Sequence, residues 1–185
     1  YDGLFRIDQL GNLVPSLAKS WDFSADGKTI TIQLQEGVKF HDGAPFDGQA
    51  VKWNFDRIMD PKQNSPRRTE IGPSLKEIEV LSASTVKLHL YDPYRPLLAE
   101  LASERVGFMV SPTAVSRYGG GREGSYGKNP VGTGPFRFVE WVLEDRLLVK
   151  RNDNYWERGK PYFDAILMQA ATDVDVRIAM LRTGE

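Results

Sequence analysis

Trp21-Asp22-Phe23-Ser24-Ala25-Asp26-Gly27-Lys28-Thr29-Ile30-Thr31-Ile32-Gln33-Leu34 is the stretch that decides the fold. From Thr29 onward the residues alternate strictly. Ile30, Ile32 and Leu34 fall on one side, and Thr29, Thr31 and Gln33 on the other. That period of two marks a half-buried strand. Asp26-Gly27 is a hairpin turn signal, so the strand pairs back onto Trp21-Asp22-Phe23.

The same pattern recurs downstream. Residues 76–81 and 85–90 predict a second hairpin around Ser82-Ala83-Ser84, with Val86, Leu88 and Leu90 inward and Lys87 and His89 outward. Residues 136–142 and 147–150 predict a third around Glu144-Asp145, and residues 164–171 a further strand. Upstream, Leu4-Phe5-Arg6-Ile7 reads as a short strand followed by a turn around Gly11. Helices separate these units. Asp47 caps one over residues 47–59, where Val51, Phe55, Ile58 and Met59 form one apolar stripe and Asp60-Pro61 ends the run. Residues 96–102 read as a short apolar helix. Residues 112–118 read as another, capped by Ser111 with Pro112 at its first position. Residues 173–181 predict a last helix, with Val174, Ile178 and Leu181 on one stripe. Residues 62–68 are a polar loop, and residues 119–135 a second loop with seven glycines. The expected class is α+β, strand-rich, with hairpins separated by single helices.

Composition narrows the functions. The 185 residues suit one or two domains with a genuine core. Lys and Arg number 24 against 25 Asp and Glu, a net charge of −1 that argues against a nucleic-acid binder. Without cysteine there is no disulfide framework, thiolate metal site or cysteine nucleophile. No apolar run is long enough to span a bilayer. Tyr1 opens directly on a strand pattern and the chain stops at a helix end, so a part of a longer protein is expected.

Candidate chemistry is sparse. Gly119-Gly120-Gly121-Arg122-Glu123-Gly124 fits G-x-G-x-x-G, but a helix precedes it where a dinucleotide fold needs a strand. A surface loop is the better reading, and no cofactor is expected. His41 and His89 are too few and too far apart for a zinc site. Asp145, Asp153, Asp164, Asp173 and Asp175 are explained by turns and helix starts, Asp173 as a cap. Trp53 is off the apolar stripe of its helix, so it packs against a neighbour or lines a ligand surface. Arg67, Arg68 and Arg105 stand at loop or element ends, where a guanidinium can fork onto a carboxylate ligand. The competing and commoner case is a solvated or salt-bridged surface arginine.

Four stretches carry a resemblance. Leu17-Ala18-Lys19-Ser20-Trp21, Asp26-Gly27-Lys28-Thr29 and Gly37-Val38-Lys39-Phe40-His41-Asp42-Gly43 with Pro45-Phe46 form one block. Ala50-Val51-Lys52-Trp53-Asn54-Phe55 follows, then Pro130-Val131-Gly132-Thr133-Gly134-Pro135-Phe136. Last come Arg151-Asn152, Tyr155-Trp156, Gly159-Lys160-Pro161 and Asp164, then Leu181 and Gly184-Glu185. Their order and spacing resemble the family 5 extracellular solute-binding proteins, which serve ATP-driven importers of oligopeptides, dipeptides, glutathione and nickel chelates. Gln35 departs from the pattern, where a basic residue is common.

The resemblance implies a bilobal periplasmic-binding-protein-like fold of type II, of which this chain is the N-terminal third or so. Residues 1–12 and 111–185 would belong to the first lobe, and residues 13–110 to an extra subdomain stacked on it. The second lobe would lie outside the chain. It implies a non-enzymatic protein, a peptide or similar solute (nickel chelates included), and ABC permease subunits as partners. A monomer is expected, in the periplasm or outside the cell, meeting the membrane only through the permease or a lipid anchor beyond this chain. Arg105, Arg67 and Arg68 remain the candidate ligand contacts. A carbohydrate-binding or hydrolytic β-rich domain is the alternative. An exposed coplanar row of Trp53, Trp141 and Trp156 would favour it. A purely structural or protein-interaction domain is the other. A deep polar groove beside the three arginines would argue against that.

Overall fold

The computed structural model describes residues 1–120, 124–171 and 173–184. The deciding stretch forms β3 (Ala18–Phe23) and β4 (Thr29–Leu34), paired antiparallel with Trp21 opposite Ile32 and Phe23 opposite Ile30. The turn closes because Gly27 takes φ +68°, open to a residue without Cβ, and Asp26 accepts the Lys28 N–H at 3.0 Å. The second predicted hairpin is β5 (Leu75–Ser82) and β6 (Thr85–Leu90). Both hairpins join in one sheet of order β3-β4-β6-β5, through Ile30 opposite Leu88 and Ile32 opposite Val86.

That register puts Ile30, Ile32, Leu34, Ile78, Val86 and Leu88 on a single buried face. Helix α1 (Gly48–Met59) covers it with Val51, Phe55 and Ile58, the stripe expected from the sequence. Asp47 caps the helix by accepting the Ala50 N–H at 2.9 Å. Gly48 is required by proximity, since a Cβ there would stand 2.7 Å from the Ser82 carbonyl oxygen. Each of these apolar side chains stabilises the fold by about 1.5–3 kcal/mol through burial.

The residues read as a loop after α1 end in a single helical turn, α2 (Arg68–Ile71), which buries Ile71. The short apolar helix is α3 (Leu97–Leu101), and Pro112 opens α4 (Pro112–Tyr118), capped by Ser111. A two-stranded ribbon of β1 (Phe5–Ile7) and β2 (Leu13–Pro15) opens the chain. One buried cluster runs from Leu4 and Phe5 to Met109.

The C-terminal part differs. Strands β7 (Phe136–Val142), β8 (Arg146–Arg151) and β9 (Ala165–Gln169) form a separate antiparallel sheet in that order. Phe138, Val149 and Ile166 are aligned across it, as are Trp141, Leu147 and Met168. A bulge between Phe138 and Glu140 returns Trp141 to the face of Phe138. All of β9 is exposed. Helix α5 (Val174–Thr183) forms where expected, capped by Asp173. Its stripe is not buried, however. Val174, Ile178 and Leu181 are 58%, 43% and 80% exposed, because no other described segment covers that side. Among the described residues no helix is long and apolar enough to cross a membrane.

Candidate functional site

Residues 38–46 fold into a tight loop, with the Phe40 N–H on the Ala44 carbonyl at 2.8 Å and the Phe46 N–H on Val38 at 3.0 Å. Val38, Phe40 and Phe46 point into the core. His41 and Asp42 then face the other way and fasten distant segments. The His41 N–H donates to the Gly132 carbonyl at 2.8 Å, and its Nε2 lies 2.8 Å from the Gly134 carbonyl. A carbonyl only accepts, so Nε2 carries the proton. Asp42 accepts from the Ser111 hydroxyl at 2.6 Å, the same hydroxyl that caps α4. His41 is therefore a clamp between two of the stretches that carry the resemblance.

Burial lowers the His41 pKa below its ordinary value, and Nδ1 is buried without a partner among the described residues. A folded pKa below the unfolded one means that the unfolded chain binds the proton first. Stability should therefore fall as pH drops below about 6.5, by at most about 1.4 kcal/mol per pH unit. Urea unfolding of wild type and His41→Gln between about pH 7.5 and 5.5 checks this, above the carboxylate range. The variant should show the flatter profile.

Gly132 and Gly134 lie directly against Tyr1. A Cβ on Gly132 would stand 2.3 Å from the Tyr1 ring. On its other side that ring stacks on Phe108, with centroids 5.7 Å apart. The Tyr1 hydroxyl meets that of Tyr126 at 3.2 Å, and Tyr126 in turn donates to the Val131 carbonyl at 2.8 Å. Burial, followed by this hydrogen bond, pushes the Tyr1 phenol well above its usual pKa. Beside it, the buried Asp2 carboxylate accepts from Trp156 Nε1 at 2.8 Å, Tyr155 at 3.2 Å, Arg6 at 3.3 Å and Thr133 at 3.4 Å. Arg6 also bridges Asp2 to Glu157.

A cavity of about 550 Å³ opens between Tyr1 and His41 on one side and Phe136, Phe138, Trp141 and Leu147 on the other. Its walls are mainly hydrocarbon and aromatic, suited to covering apolar groups. Among the described residues no group of three or more His, Asp or Glu side chains is placed to hold a metal ion.

The three arginines proposed from the sequence divide. Arg67 and Arg105 converge on one carboxylate oxygen of Glu70, at 2.8 and 2.9 Å. Arg67 foremost, and Arg105, hold the Glu70 carboxyl below its usual pKa. Two guanidiniums sharing one carboxylate leave a surplus positive charge, and Arg105 remains 67% exposed. Arg68 opens α2, is exposed, and joins no ion pair among the described residues. The tryptophans form no row. Trp53 is half-buried under Arg57 on α1, Trp141 is exposed on the C-terminal sheet, and Trp156 packs against the main core. This removes the observation that would have favoured sugar binding. Within the glycine motif, Gly121, Arg122 and Glu123 lie outside the described residues, as does the terminal Glu185. Gly119 itself follows α4 directly, so no strand leads into the motif.

Sequence reading did not single out Tyr1, Asp2, Tyr126 or Arg57. The close glycine pair Gly132 and Gly134 was the available signal, since glycines two apart mark a close backbone approach.

Comparison with known proteins gives a consistent result. The family model described as bacterial extracellular solute-binding proteins, family 5 Middle, matches residues 12–185. The glutathione-binding protein GsiB of Pectobacterium atrosepticum is 40% identical over 185 residues, which is 100% of this chain and 35% of the relative. GsiB of Salmonella paratyphi A is also 40% identical, with the same shares. Among solved structures, NikZ from Campylobacter jejuni in complex with Ni(L-His) superposes with TM-score 0.87 at 32% identity, over 100% of this chain and 36% of that one. The periplasmic binding protein DppA from Helicobacter pylori, in complex with the peptide STSA, gives TM-score 0.86 at 29% identity, over 100% and 39%. The chain thus spans about a third of the length of the curated relatives it matches.

Proposed function

The chain belongs to the bacterial extracellular solute-binding proteins of family 5, a non-enzymatic family, and we propose that the whole protein captures a peptide-like solute for an ABC importer. The carrying observation is the match over residues 12–185 together with full coverage by peptide- and glutathione-binding relatives. The solute is a small peptide of the glutathione class, favoured over a nickel chelate by the higher identity to the glutathione-binding relatives. The protein acts in the periplasm or at the cell exterior and delivers its solute to the permease subunits as a monomer.

Residues 1–12 and 111–185 are assigned to the first lobe and residues 13–110 to a subdomain stacked on it. Burial of Leu4 and Phe5 in the same cluster as the four-stranded sheet supports the stacking. The exposed face of β9 and the exposed stripe of α5 suit a fragment whose remaining chain packs there. Two lobes closing over a solute would each supply part of the cleft. The Arg67–Glu70–Arg105 cluster, with its surplus charge, and Arg68 are assigned to an anionic group of the solute.

Isothermal titration with glutathione, dipeptides and oligopeptides tests this reading. The full-length protein should bind at least one. The 185-residue chain, shown folded by circular dichroism, should bind none detectably. Nanomolar binding by the chain alone would sink the two-lobe account. In the full-length protein Arg105→Ala should weaken a carboxylate-bearing solute about tenfold, the value of a hydrogen bond to a charged group. Unchanged affinity would make Arg105 a surface residue of the Glu70 cluster only.

A further inference from the structure

Helix α1 carries a guanidinium with no carboxylate partner among the described residues. Arg57 follows Trp53 by one helical turn, and its guanidinium carbon lies 5.6 Å from the Trp53 ring centroid. Its Nε is buried and meets no acceptor among the described residues. Neither Asp56 nor Asp60 pairs with Arg57. Asp56 pairs with Lys52 at 3.0 Å, and Asp60 accepts the Lys62 N–H at 2.9 Å. The phenols of Tyr126 and Tyr1 are near Arg57, but burial raises the pKa of both and keeps them neutral. Burial lowers the Arg57 pKa. By contrast Arg6, Arg67 and Arg105 each have a carboxylate partner.

Only Nε is withdrawn from water, and the side chain as a whole is half-buried beside open space. The cation–π contact with Trp53 offsets part of the cost of burying Nε but supplies no hydrogen-bond acceptor. A groove of about 410 Å³ lies there between α1 and α4, bounded by Trp53, Arg57, Gln63, Val115 and Gly120. Asp56 and Asp60 also line it. A groove with one guanidinium and two carboxylates disfavours a bare anion. It suits a group that carries both signs, a carboxylate beside an ammonium.

We propose that this groove is a solute subsite in which Arg57 forks onto the carboxylate of an amino-acid or peptide end. Trp53 holds the guanidinium plane from beneath, and Asp56 or Asp60 receives the ammonium. The subsite rests on the solute-binding reading above and names a residue and a ligand group for it. It is separate from the Glu70 cluster, whose guanidiniums already share a carboxylate.

The test uses the full-length protein, with the dipeptide Met-Leu and its C-terminal amide, and glutathione and its amides at the glycine and at the γ-glutamyl α-carboxyl, as probes. Wild type should bind at least one acid and prefer it over its amide by about tenfold or more. Arg57→Gln should bring the acid-to-amide ratio within about twofold, since a neutral amide cannot reproduce the charged fork. If wild type binds none of the acids, the solute-binding reading itself fails for this class. If wild type binds and Arg57→Gln keeps the full acid preference, the subsite is overturned. A drop in the melting temperature of ligand-free Arg57→Gln with that preference intact would also overturn it, assigning Arg57 to a carboxylate of the remaining chain. Should Arg57→Gln not fold, Arg57→Lys decides the matter. A point charge without the fork should lower the preference at least about threefold, and an unchanged ratio would overturn the subsite.

Discussion

Asp2→Ala in the full-length protein is expected to lower folding stability by about 3–5 kcal/mol, the cost of removing one partner from a buried charged network. Asp2 is 5% exposed and receives four donors from three parts of the chain. Arg6 comes from β1, Thr133 from the glycine pair, and Tyr155 and Trp156 from the segment after β8. Truncation strands the Trp156 indole N–H and the Thr133 hydroxyl, which is 1% exposed. It also removes a compensating charge from Arg6, which keeps only Glu157. Asp2→Asn should cost less, about 1–3 kcal/mol, because its oxygen still accepts while its amide opposes one donor. Urea unfolding of the three proteins at neutral pH checks the order. A loss below about 1 kcal/mol for Asp2→Ala would show that the network is relaxed by water.

Most of the fold was readable because its elements announce themselves locally. Alternation fixed which face of β4 and β6 is buried, and Asp47 and Ser111 marked helix starts that the structure confirms by their side-chain bonds. The pairing of β4 with β6 was not readable, since it joins two hairpins across 50 residues of chain without a local signal. Trp141 shows a finer limit. It lies three residues after Phe138, which in a regular strand means opposite faces, and only the bulge unites them. The candidate site was less legible still. Arg67 and Arg105 were chosen for their positions at element ends, but their shared partner Glu70 is visible only in three dimensions. Arg57 was invisible for the converse reason. Its significance is a buried Nε with no acceptor among the described residues, which only the three-dimensional neighbourhood reveals. The exposed α5 stripe shows that periodicity can identify a face that seeks cover without showing what covers it.

Gly134→Ala is expected to be the more damaging of two single-methyl changes in the Gly132-Thr133-Gly134 segment, by about 3 kcal/mol against wild type. Neither glycine sits at positive φ, so the requirement is for space, not for backbone freedom. At Gly134 the added Cβ would approach the Tyr1 backbone at 2.7, 3.1 and 3.2 Å. Backbone cannot swing aside, so the segment itself must move. That movement would break two bonds to the Gly134 carbonyl, from His41 Nε2 at 2.8 Å and from the buried Asn152 amide at 3.1 Å. At Gly132 the clash is instead with the Tyr1 ring, at 2.3 Å. A ring can rotate, at the expense of its stack on Phe108 and its bond to Tyr126. The two cases separate in a double-mutant cycle with Tyr1→Ala, which removes the ring and leaves the backbone. Gly132→Ala should become nearly neutral in the Tyr1→Ala background, whereas Gly134→Ala should remain as costly as before. Equal relief of both by Tyr1→Ala would mean that the ring, not the backbone approach, dictates glycine at both positions. Chemical denaturation of the full-length variants measures each corner of the cycle. Because Tyr126 is also one of the two phenols beside Arg57, Gly132→Ala alone should disturb the α1–α4 groove more than Gly134→Ala does for its smaller loss of stability.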